Sequence, residues 1–258
     1  MSDLPVFAVL QYSGRDFAGW QLQPSQRTVQ GELEAVLQRL IGFRVATRAA
    51  GRTDAGVHAL GQVVSFGVPA RWQPCELARA LRALLPADIW VRGVGRAPAG
   101  FDARRHALSR EYRYVIGSDQ AAFSPFRRPF EWALGKPLIE EPVAEAVRWI
   151  AGKHDFRALS AVGQRKPHYE CNVTRVEWRR REDAHGFIFE IEADRFLHRM
   201  VRFLVGTLVD IGRGRRPSDD LLRLLSQTSN ADASPPAPPE GLYLVAARYP
   251  QLEEVIDR

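Results

Sequence analysis

The order of apolar patterns along the chain constrains its fold more than any other feature of the sequence. In the first 104 residues, stretches with the alternation or short apolar runs of strands flank two stretches with the three-to-four-residue spacing of amphipathic helices. Strands are predicted at 5–12, 44–50, 60–68 and 89–94, and helices at 29–41 and 74–85. The resulting β-α-β-β-α-β order is typical of a ferredoxin-like unit.

The second part of the chain repeats this order without repeating the residues. Strands are predicted at 111–116, 173–178, 187–191 and 242–247, and helices at 143–150, 196–211 and, as a short extra element, 221–225. We therefore predict an α+β protein with two ferredoxin-like halves, residues 1–104 and 105–258, in a pseudo-twofold relation. A cleft between two such halves is a preferred place for a functional site.

The charge of the chain favours a polyanionic partner. The formal net charge is +6 and the sequence pI is about 9.7, and only three of the 36 basic residues are lysines. Arginine can bind a phosphate with two hydrogen bonds and can stack on a base. Nucleic acid is therefore the first candidate and anionic lipid the second, although a compositional bias of the genome would produce the same arginine content.

Neither a membrane segment nor a secretory leader is predicted. No run approaches the ~20 apolar residues of a membrane span, and the N-terminus lacks a basic segment before its apolar run. Cys75 and Cys171 stand far apart without further cysteines, which argues against a disulfide framework and against a zinc site. These features favour a protein of the reducing cytoplasm.

One carboxylate stands out in residues 51–66, which read GRTDAGVHALGQVVSF. Asp54 lies in a segment of small residues before a predicted strand, two residues after Arg52. For an isolated Asp-Ala-Gly, an ordinary turn is the simpler interpretation, because Asp and Gly favour turns for steric and hydrogen-bonding reasons. The alternative is an acid that does chemistry on a sugar or a base.

A strand with aromatic and basic residues, REYRY, covers residues 110–114. Alternation places Tyr112 and Tyr114 on one face of this strand and Arg113 on the other. Sheets of RRM domains present such residues to single-stranded RNA. Tyrosine is also common in strands whose one face is core, so this pattern alone leaves both interpretations open.

Three other ring residues are expected to have structural roles. His58 lies in the same loop as Asp54, and we predict that it packs against the turn and holds a backbone group instead of acting as an acid or base. Trp20 and Trp90 are predicted to lie in the core and not to serve as platforms for bases.

Five ordered blocks carry a resemblance to a known family. They are YSGRDFAGWQLQPSQRTVQGELE (12–34), GRTDAGVHALGQVVSF (51–66), FDARRHALSREYRY (101–114), ADRFLHRMVRFLVGTL (193–208) and PPEGLYLVAARYP (238–250). In this order and at these distances, they resemble the bacterial tRNA pseudouridine synthase A (TruA) family over nearly the whole chain. The second block resembles the active-site signature of that family, and the resemblance implies the pseudouridine synthase fold.

The resemblance implies an isomerase that acts on tRNA. Enzymes of this family detach uracil from its ribose at N1 and rejoin it through C5, at uridines in positions 38, 39 and 40 of the anticodon stem-loop. Nothing is oxidised, hydrolysed or added overall, so no cofactor or metal is expected. The family also implies a cytoplasmic homodimer that recognises tRNA through shape and phosphate contacts more than through base edges.

The resemblance also assigns roles to individual residues. Asp54 corresponds to the catalytic carboxylate, which could attack the ribose, add to the base or remove a sugar proton. Tyr112 corresponds to the tyrosine that packs against the target base, and Arg202 to the position that approaches the aspartate from the other half. Arg52 and Arg202 are expected to favour the charged form of the carboxylate, as nearby cations do. Arg199 is expected to add to a basic RNA-binding groove.

Two other functions are compatible with the sequence. One is a non-catalytic RNA-binding protein on the same scaffold, against which Asp54 and Tyr112 argue. The other is a pseudouridine synthase with a different RNA target, because the choice of target depends on loops whose conformation the sequence does not predict.

Overall fold

The chain forms two compact units. The computed structural model describes residues 3–161, 168–183, 185–250 and 252. Unit 1 comprises Met1–Arg110 together with Tyr243–Arg258, and unit 2 comprises Glu111–Leu242. Both units combine helices with strands, so the chain has the predicted α+β fold class.

The elements follow one another in an order close to the predicted one. They are β1 (Asp3–Tyr12), α1 (Val29–Ile41), β2 (Arg48–Ala49), β3 (His58–Pro69), α2 (Pro74–Leu84), β4 (Ile89–Arg96), β5 (Ser109–Gly117), β6 (Trp132–Ala133), α3 (Glu140–Val147), β7 (Gly152–Asp155), β8 (Glu170–Arg180), β9 (Gly186–Ala193), α4 (Met200–Gly212), α5 (Asp220–Leu225) and β10 (Leu242–Arg248). Short 3₁₀ turns occur at Gln120–Phe123, Arg128–Phe130, Arg157–Leu159 and Pro239–Gly241.

In unit 1, the strands lie in the order β4-β1-β3-β10, and β2 also pairs with β3. β1 runs antiparallel to both neighbours, with Val9 opposite Val63 of β3 and opposite Gly93 of β4. β10 runs parallel to β3, with Tyr243 opposite His58. The two units therefore differ from the halves expected at residue 104, because this parallel pairing places the C-terminal strand with the N-terminal part of the chain.

Helix α1 forms where the sequence predicts it, and local signals explain both ends. The side chain of Thr28 accepts a hydrogen bond from the Gly31 amide at 3.2 Å and so caps the N-terminus. Gly42 ends the helix with φ 94°, a left-handed conformation that glycine adopts without steric cost. Between these ends, Leu33 and Leu37 are fully buried on one face, which packs the helix against its unit.

In unit 2, the strands lie in the order β5-β9-β8-β7, and β6 pairs parallel with β5. α4 is buried along nearly its whole length, from Met200 at its start to Gly212 at its end. Two short strands were not predicted from the sequence, because the two residues of β6 and the polar Gly-Lys-His-Asp of β7 are too short or too polar to form an alternating pattern.

Three other predictions need correction. The predicted strand at 44–50 is limited to Arg48–Ala49, and the predicted helix at 196–211 begins only at Met200. Trp20 is buried as predicted, but Trp90 is 51% exposed on the edge strand β4. There, the guanidinium of Arg82 lies 5.0 Å from the centre of the Trp90 ring, so this indole has a cation–π partner instead of a core environment.

Within the ranges that the structure describes, no helix is both long enough and apolar enough to cross a membrane. The same ranges contain no group of three or more His, Cys, Asp or Glu side chains arranged to hold a metal ion.

Candidate active site

Asp54 lies in a tight turn directly before β3. The Val57 amide donates to the Asp54 carbonyl at 3.2 Å, which closes the turn. Gly56 has φ 79°, the left-handed conformation that a type II turn requires at its third residue. Asp54 is half-buried, whereas Arg52 is exposed. The turn prediction and the catalytic hypothesis are therefore compatible, since the turn presents the acid at the start of a buried strand.

The segment between β1 and α1 packs closely on this turn. The Trp20 amide donates to the Thr53 carbonyl at 3.0 Å, and the Gly56 amide donates to the Phe17 carbonyl at 3.4 Å. Gly19 has φ 102°, and an added Cβ would lie 2.7 Å from the Thr53 carbonyl oxygen. The YSGRDFAGW part of the first sequence block (residues 12–20) therefore packs against one side of the Asp54 turn.

His58 has the structural role predicted for it. It is 2% exposed, and its Nδ1 accepts a hydrogen bond from the Gly14 amide at 3.1 Å. Its ring stacks on that of Tyr243 with 4.8 Å between centroids. The histidine thus holds a backbone group of residues 12–20, which confirms the prediction.

Gly14 is expected to tolerate no larger residue. A Cβ at this position would lie 2.0 Å from the carbonyl oxygen of Val57, so the backbone on one side of the turn must move. We expect Gly14→Ala to lower the free energy of unfolding by about 1–3 kcal/mol, the usual cost of overpacking. Urea denaturation followed by circular dichroism measures this change.

The matched control for this prediction is Gly93→Ala in β4, where an added Cβ has no atom within 4 Å. Its free energy of unfolding should change by less than about 0.5 kcal/mol, as is usual for substitutions without a steric conflict. Equal denaturation midpoints for wild type and Gly14→Ala would show that the approach of Gly14 to Val57 is not tight in solution.

Buried polar groups support the turn from the side of β3. The Gln62 Nε2 donates to the Gly51 carbonyl at 2.6 Å and to the Tyr12 Oη at 3.4 Å. The Tyr12 Oη in turn lies 2.8 Å from the Thr53 Oγ1. These residues were not predicted from the sequence, although one signal was available: Gln62 is a polar residue inside the apolar strand pattern of β3.

Arg110 holds Ala50, the residue directly before Gly51, through hydrogen bonds to its carbonyl. Its Nε and Nη2 both donate to the Ala50 carbonyl, at 3.2 and 3.0 Å, and its Nη1 and Nη2 donate to the carbonyls of Ala107 and Arg104. By contrast, the side chain of Arg52 forms no ion pair with any residue in the described ranges. Arg110 therefore acts in the scaffold of unit 1, and the Arg52 guanidinium remains at the surface.

In unit 2, Tyr112 lies on β5 with its ring almost buried. It is 8% exposed, and its ring meets that of Phe196 edge-on at 4.9 Å between centroids. Tyr114 is fully buried, and its Oη donates to the Pro238 carbonyl at 2.7 Å. Arg113 donates from Nε to Glu190 at 2.7 Å. These contacts agree with the predicted alternation along β5.

Arg202 lies in the first turn of α4 and is held by the chain before β10. Its Nε donates to the Ala237 carbonyl at 2.7 Å, and its own carbonyl accepts from the Ala237 amide at 2.9 Å. The side chain is half-buried. These contacts hold the guanidinium in place, unlike that of a fully solvated helix arginine.

Arg199 precedes α4 in an unusual conformation. Its φ is 60°, in the left-handed region that non-glycine residues seldom occupy, and its side chain is exposed. Backbone strain of this kind is concentrated at functional sites. It also explains why the helix begins at Met200 and not at 196.

The predicted site residues therefore form two groups. Asp54 lies in the turn before β3 of unit 1, and Arg52 lies two residues before it. In unit 2, Tyr112 lies on β5, and Arg199 and Arg202 lie at the start of α4.

Comparisons with known proteins identify the family. A family model described as "tRNA pseudouridine synthase" matches residues 8–104 and 146–250. The protein named tRNA pseudouridine synthase A from Moorella thermoacetica is 40% identical over 242 residues, covering 93% of this chain and 97% of that protein. The protein of the same name from Geobacillus kaustophilus is 41% identical over 244 residues, covering 93% of each chain.

A solved structure of an H/ACA RNP bound to a substrate RNA containing 2′-deoxyuridine is a more distant match. It is 10% identical with a TM-score of 0.33, covering 80% of this chain and 53% of that one. The family model and the relatives near 40% identity, which span almost the full length of this chain, place it in the tRNA pseudouridine synthase A family, a family of isomerases that act on uridine in tRNA.

Proposed function

We propose that this chain isomerises uridine to pseudouridine at positions 38, 39 and 40 of the tRNA anticodon stem-loop, with Asp54 as the catalytic carboxylate. One observation carries the proposal: a half-buried aspartate lies in the turn before β3, and the segment that leads to it is held at Gly51 and Thr53 by hydrogen bonds from Gln62 and Trp20. Fixed placement of a reacting group is a large part of enzymatic rate enhancement. We further propose that the enzyme acts as a homodimer in the cytoplasm.

The reaction rearranges bonds within one nucleotide. The bond between N1 and C1′ breaks, a bond between C5 and C1′ forms, C5 loses its proton to solvent, and N1 gains one. A single carboxylate can drive this sequence by attacking the nucleoside or by taking a proton. The Asp54 carboxylate has this role in the proposal, and no oxidant, reductant or second substrate is required.

Tyr112 and Phe196 form the aromatic wall for the base in this proposal. A uridine in the anticodon arm must leave its stack to reach a carboxylate, which costs a few kcal/mol. A contact with an aromatic side chain can return ~1–3 kcal/mol. The edge-on packing of Phe196 at 4.9 Å from Tyr112 fixes the orientation of the tyrosine ring before RNA binds.

The arginines divide into two roles in the proposal. Arg202, whose Nε donates to the Ala237 carbonyl, contributes a fixed positive charge that stabilises negative charge during the reaction. Arg52 and Arg199 are exposed, and they bind tRNA phosphates. Phosphate contacts of this kind position an RNA without reading its sequence, which suits an enzyme that modifies three neighbouring uridines.

For Arg202→Ala, we expect kcat to fall about tenfold, the effect of losing roughly 1.4 kcal/mol of electrostatic stabilisation. Arg202→Lys should recover part of this loss, because it restores the charge but not the planar guanidinium. Steady-state kinetics with tRNA provide the measurement. Arg215→Ala, at an exposed arginine beyond the end of α4 that pairs with Asp210, is the control, and a kcat for Arg202→Ala equal to its value would remove Arg202 from the site.

The proposed function is tested with tRNA transcripts labelled with tritium at C5 of uridine. Wild-type protein should release tritium from a transcript with uridine at positions 38 to 40. A transcript with cytidine at all three positions should release none. Tritium release from both would indicate a synthase with another target, and tRNA binding without release from either would indicate a non-catalytic RNA-binding protein.

A further inference from the structure

We propose that Gln62, Tyr12 and Thr53 form a hydrogen-bonded chain, here called the Gln62–Tyr12–Thr53 chain, that positions the Asp54 carboxylate for reaction. The inference rests on the proposed function of Asp54 and extends it to residues that do not touch the substrate. None of the three side chains contributes to the chemistry directly, so they are positioning residues.

The Gln62–Tyr12–Thr53 chain lies beneath the segment that leads to Asp54. Gln62 is 0% exposed, Tyr12 5% and Thr53 6%. The carboxamide of Gln62 holds Gly51 through both of its backbone groups, since Nε2 donates to the carbonyl at 2.6 Å and Oε1 accepts from the amide at 3.4 Å. Gln62 thus holds Gly51, and Tyr12 holds Thr53, on either side of Arg52 in the sequence.

The Tyr12 hydroxyl connects the other two side chains of the chain. Its Oη accepts from Gln62 Nε2 at 3.4 Å. The same oxygen lies 2.8 Å from the Thr53 Oγ1, and either hydroxyl can donate in that hydrogen bond. Burial raises the pKa of Tyr12 to about 12, so the hydroxyl keeps its proton at neutral pH. Tyr12 therefore links Gln62 to Thr53.

Thr53 transmits this constraint to Asp54. Its side chain is held by Tyr12, and its carbonyl accepts from the Trp20 amide at 3.0 Å. With both groups fixed, the peptide plane that enters Asp54 has little rotational freedom. The peptide group that follows Asp54 is also held, because the Asp54 carbonyl accepts from the Val57 amide.

A purely structural explanation accounts less well for these polar groups. Buried polar side chains cost free energy unless every group is paired, and the neighbours of Gln62 along β3 include the apolar Val63 and Val64. An apolar side chain at 62 would suit such a core. Fully paired polar networks instead specify one geometry, and a catalytic turn requires one geometry.

The test compares Tyr12→Phe, Thr53→Val and Thr53→Ser with wild type by kcat, KM for tRNA and denaturation midpoint. Tyr12→Phe removes one hydroxyl and keeps the ring. We expect kcat for Tyr12→Phe and Thr53→Val to fall about 10- to 100-fold, the scale of a small misplacement of a catalytic group, with KM within about twofold of wild type. Thr53→Ser, which keeps the hydroxyl, should retain most of the wild-type kcat.

Tyr249→Phe is the matched control for loss of a buried hydroxyl. Tyr249 is 1% exposed in the same unit, and its Oη donates to the Ala103 carbonyl at 2.6 Å. We expect it to lose stability as Tyr12→Phe does while keeping the wild-type kcat. An equal fall of kcat in both tyrosine variants, or no recovery in Thr53→Ser, would overturn the positioning role.

The double variant Tyr12→Phe with Thr53→Val adds a second criterion. Substitutions of groups that act through one hydrogen-bonded chain are not additive. The kcat of the double variant should therefore equal the lower of the two single-variant kcat values. A fall in kcat equal to the product of the two single-variant falls would contradict the inference. Wild-type protein without tritium release would overturn the proposed function itself. Full activity of Tyr12→Phe beside an inactive Asp54→Asn would overturn the positioning role alone.

Discussion

Asp54→Asn should lower the rate of tritium release by about 10⁴-fold, because a positioned acid or base contributes up to this factor. The side chain keeps its size, so the turn that the Asp54 backbone closes with Val57 should persist. The affinity for tRNA should therefore change little. Single-turnover tritium release and filter binding measure the two effects on the same protein.

Asp16→Asn is the matched control for the change in charge. Asp16 is exposed in the segment between β1 and α1, within the residues that pack against the Asp54 turn. It should keep the wild-type rate. If Asp54→Asn released tritium within about tenfold of wild type, the carboxylate would not be catalytic, and another group would have to break the bond between N1 and C1′.

In cells that lack the gene, the same substitution separates modification from binding. Wild-type protein should restore pseudouridine at positions 38 to 40 of tRNA, and the Asp54→Asn protein should not. Restoration by the variant would show that the phenotype comes from binding alone. Mapping of pseudouridine by chemical labelling and reverse transcription gives the result for each position separately.

Local sequence signals predicted unit 1 well where each signal acts within a few residues. The apolar spacing of Leu33 and Leu37 predicted α1, and Gly42 lies where the structure ends the helix. The Asp54 turn was equally accessible, because a glycine two residues after an aspartate favours it. Such elements need no information about the rest of the molecule.

Features that depend on distant partners were not predictable in the same way. β2 is short because only Arg48 and Ala49 pair with β3. The residues at 44–47 carry no sequence signal that indicates where this pairing ends. β10 joins unit 1 through a pairing with β3 that spans most of the chain. The left-handed Arg199 has no sequence signal of its own, since glycine is the usual residue at such positions.

The residues that support the Asp54 turn were not predicted for a related reason. Tyr12 and Gln62 lie in strands that are predicted from their apolar neighbours alone. The polar groups of the two side chains come within hydrogen-bonding distance only when β1 and β3 pair. A polar residue in a buried strand is the general signal for such a network, because its burial is costly unless it is hydrogen-bonded. Gln62 carries that signal in the sequence.

Tyr112→Phe should lower kcat for tritium release by about 10²-fold while leaving the affinity for tRNA near that of wild type. The phenylalanine ring keeps the stacking surface and the edge-on contact with Phe196, so binding should persist. The hydroxyl is lost, and a positioned polar group that assists proton transfer contributes about 10²-fold or more. The separation of kcat from affinity distinguishes the hydroxyl from the ring.

Tyr112→Ala should impair both quantities, because it removes the ring as well. A base–aromatic contact is worth ~1–3 kcal/mol, so we expect the affinity for tRNA to fall between about 5-fold and 150-fold. Tyr114→Phe is the control: it lies two residues along β5, fully buried, and loses a hydroxyl that donates to the Pro238 carbonyl. It should lose stability but not turnover, and wild-type kinetics in all three variants would exclude Tyr112 from the site.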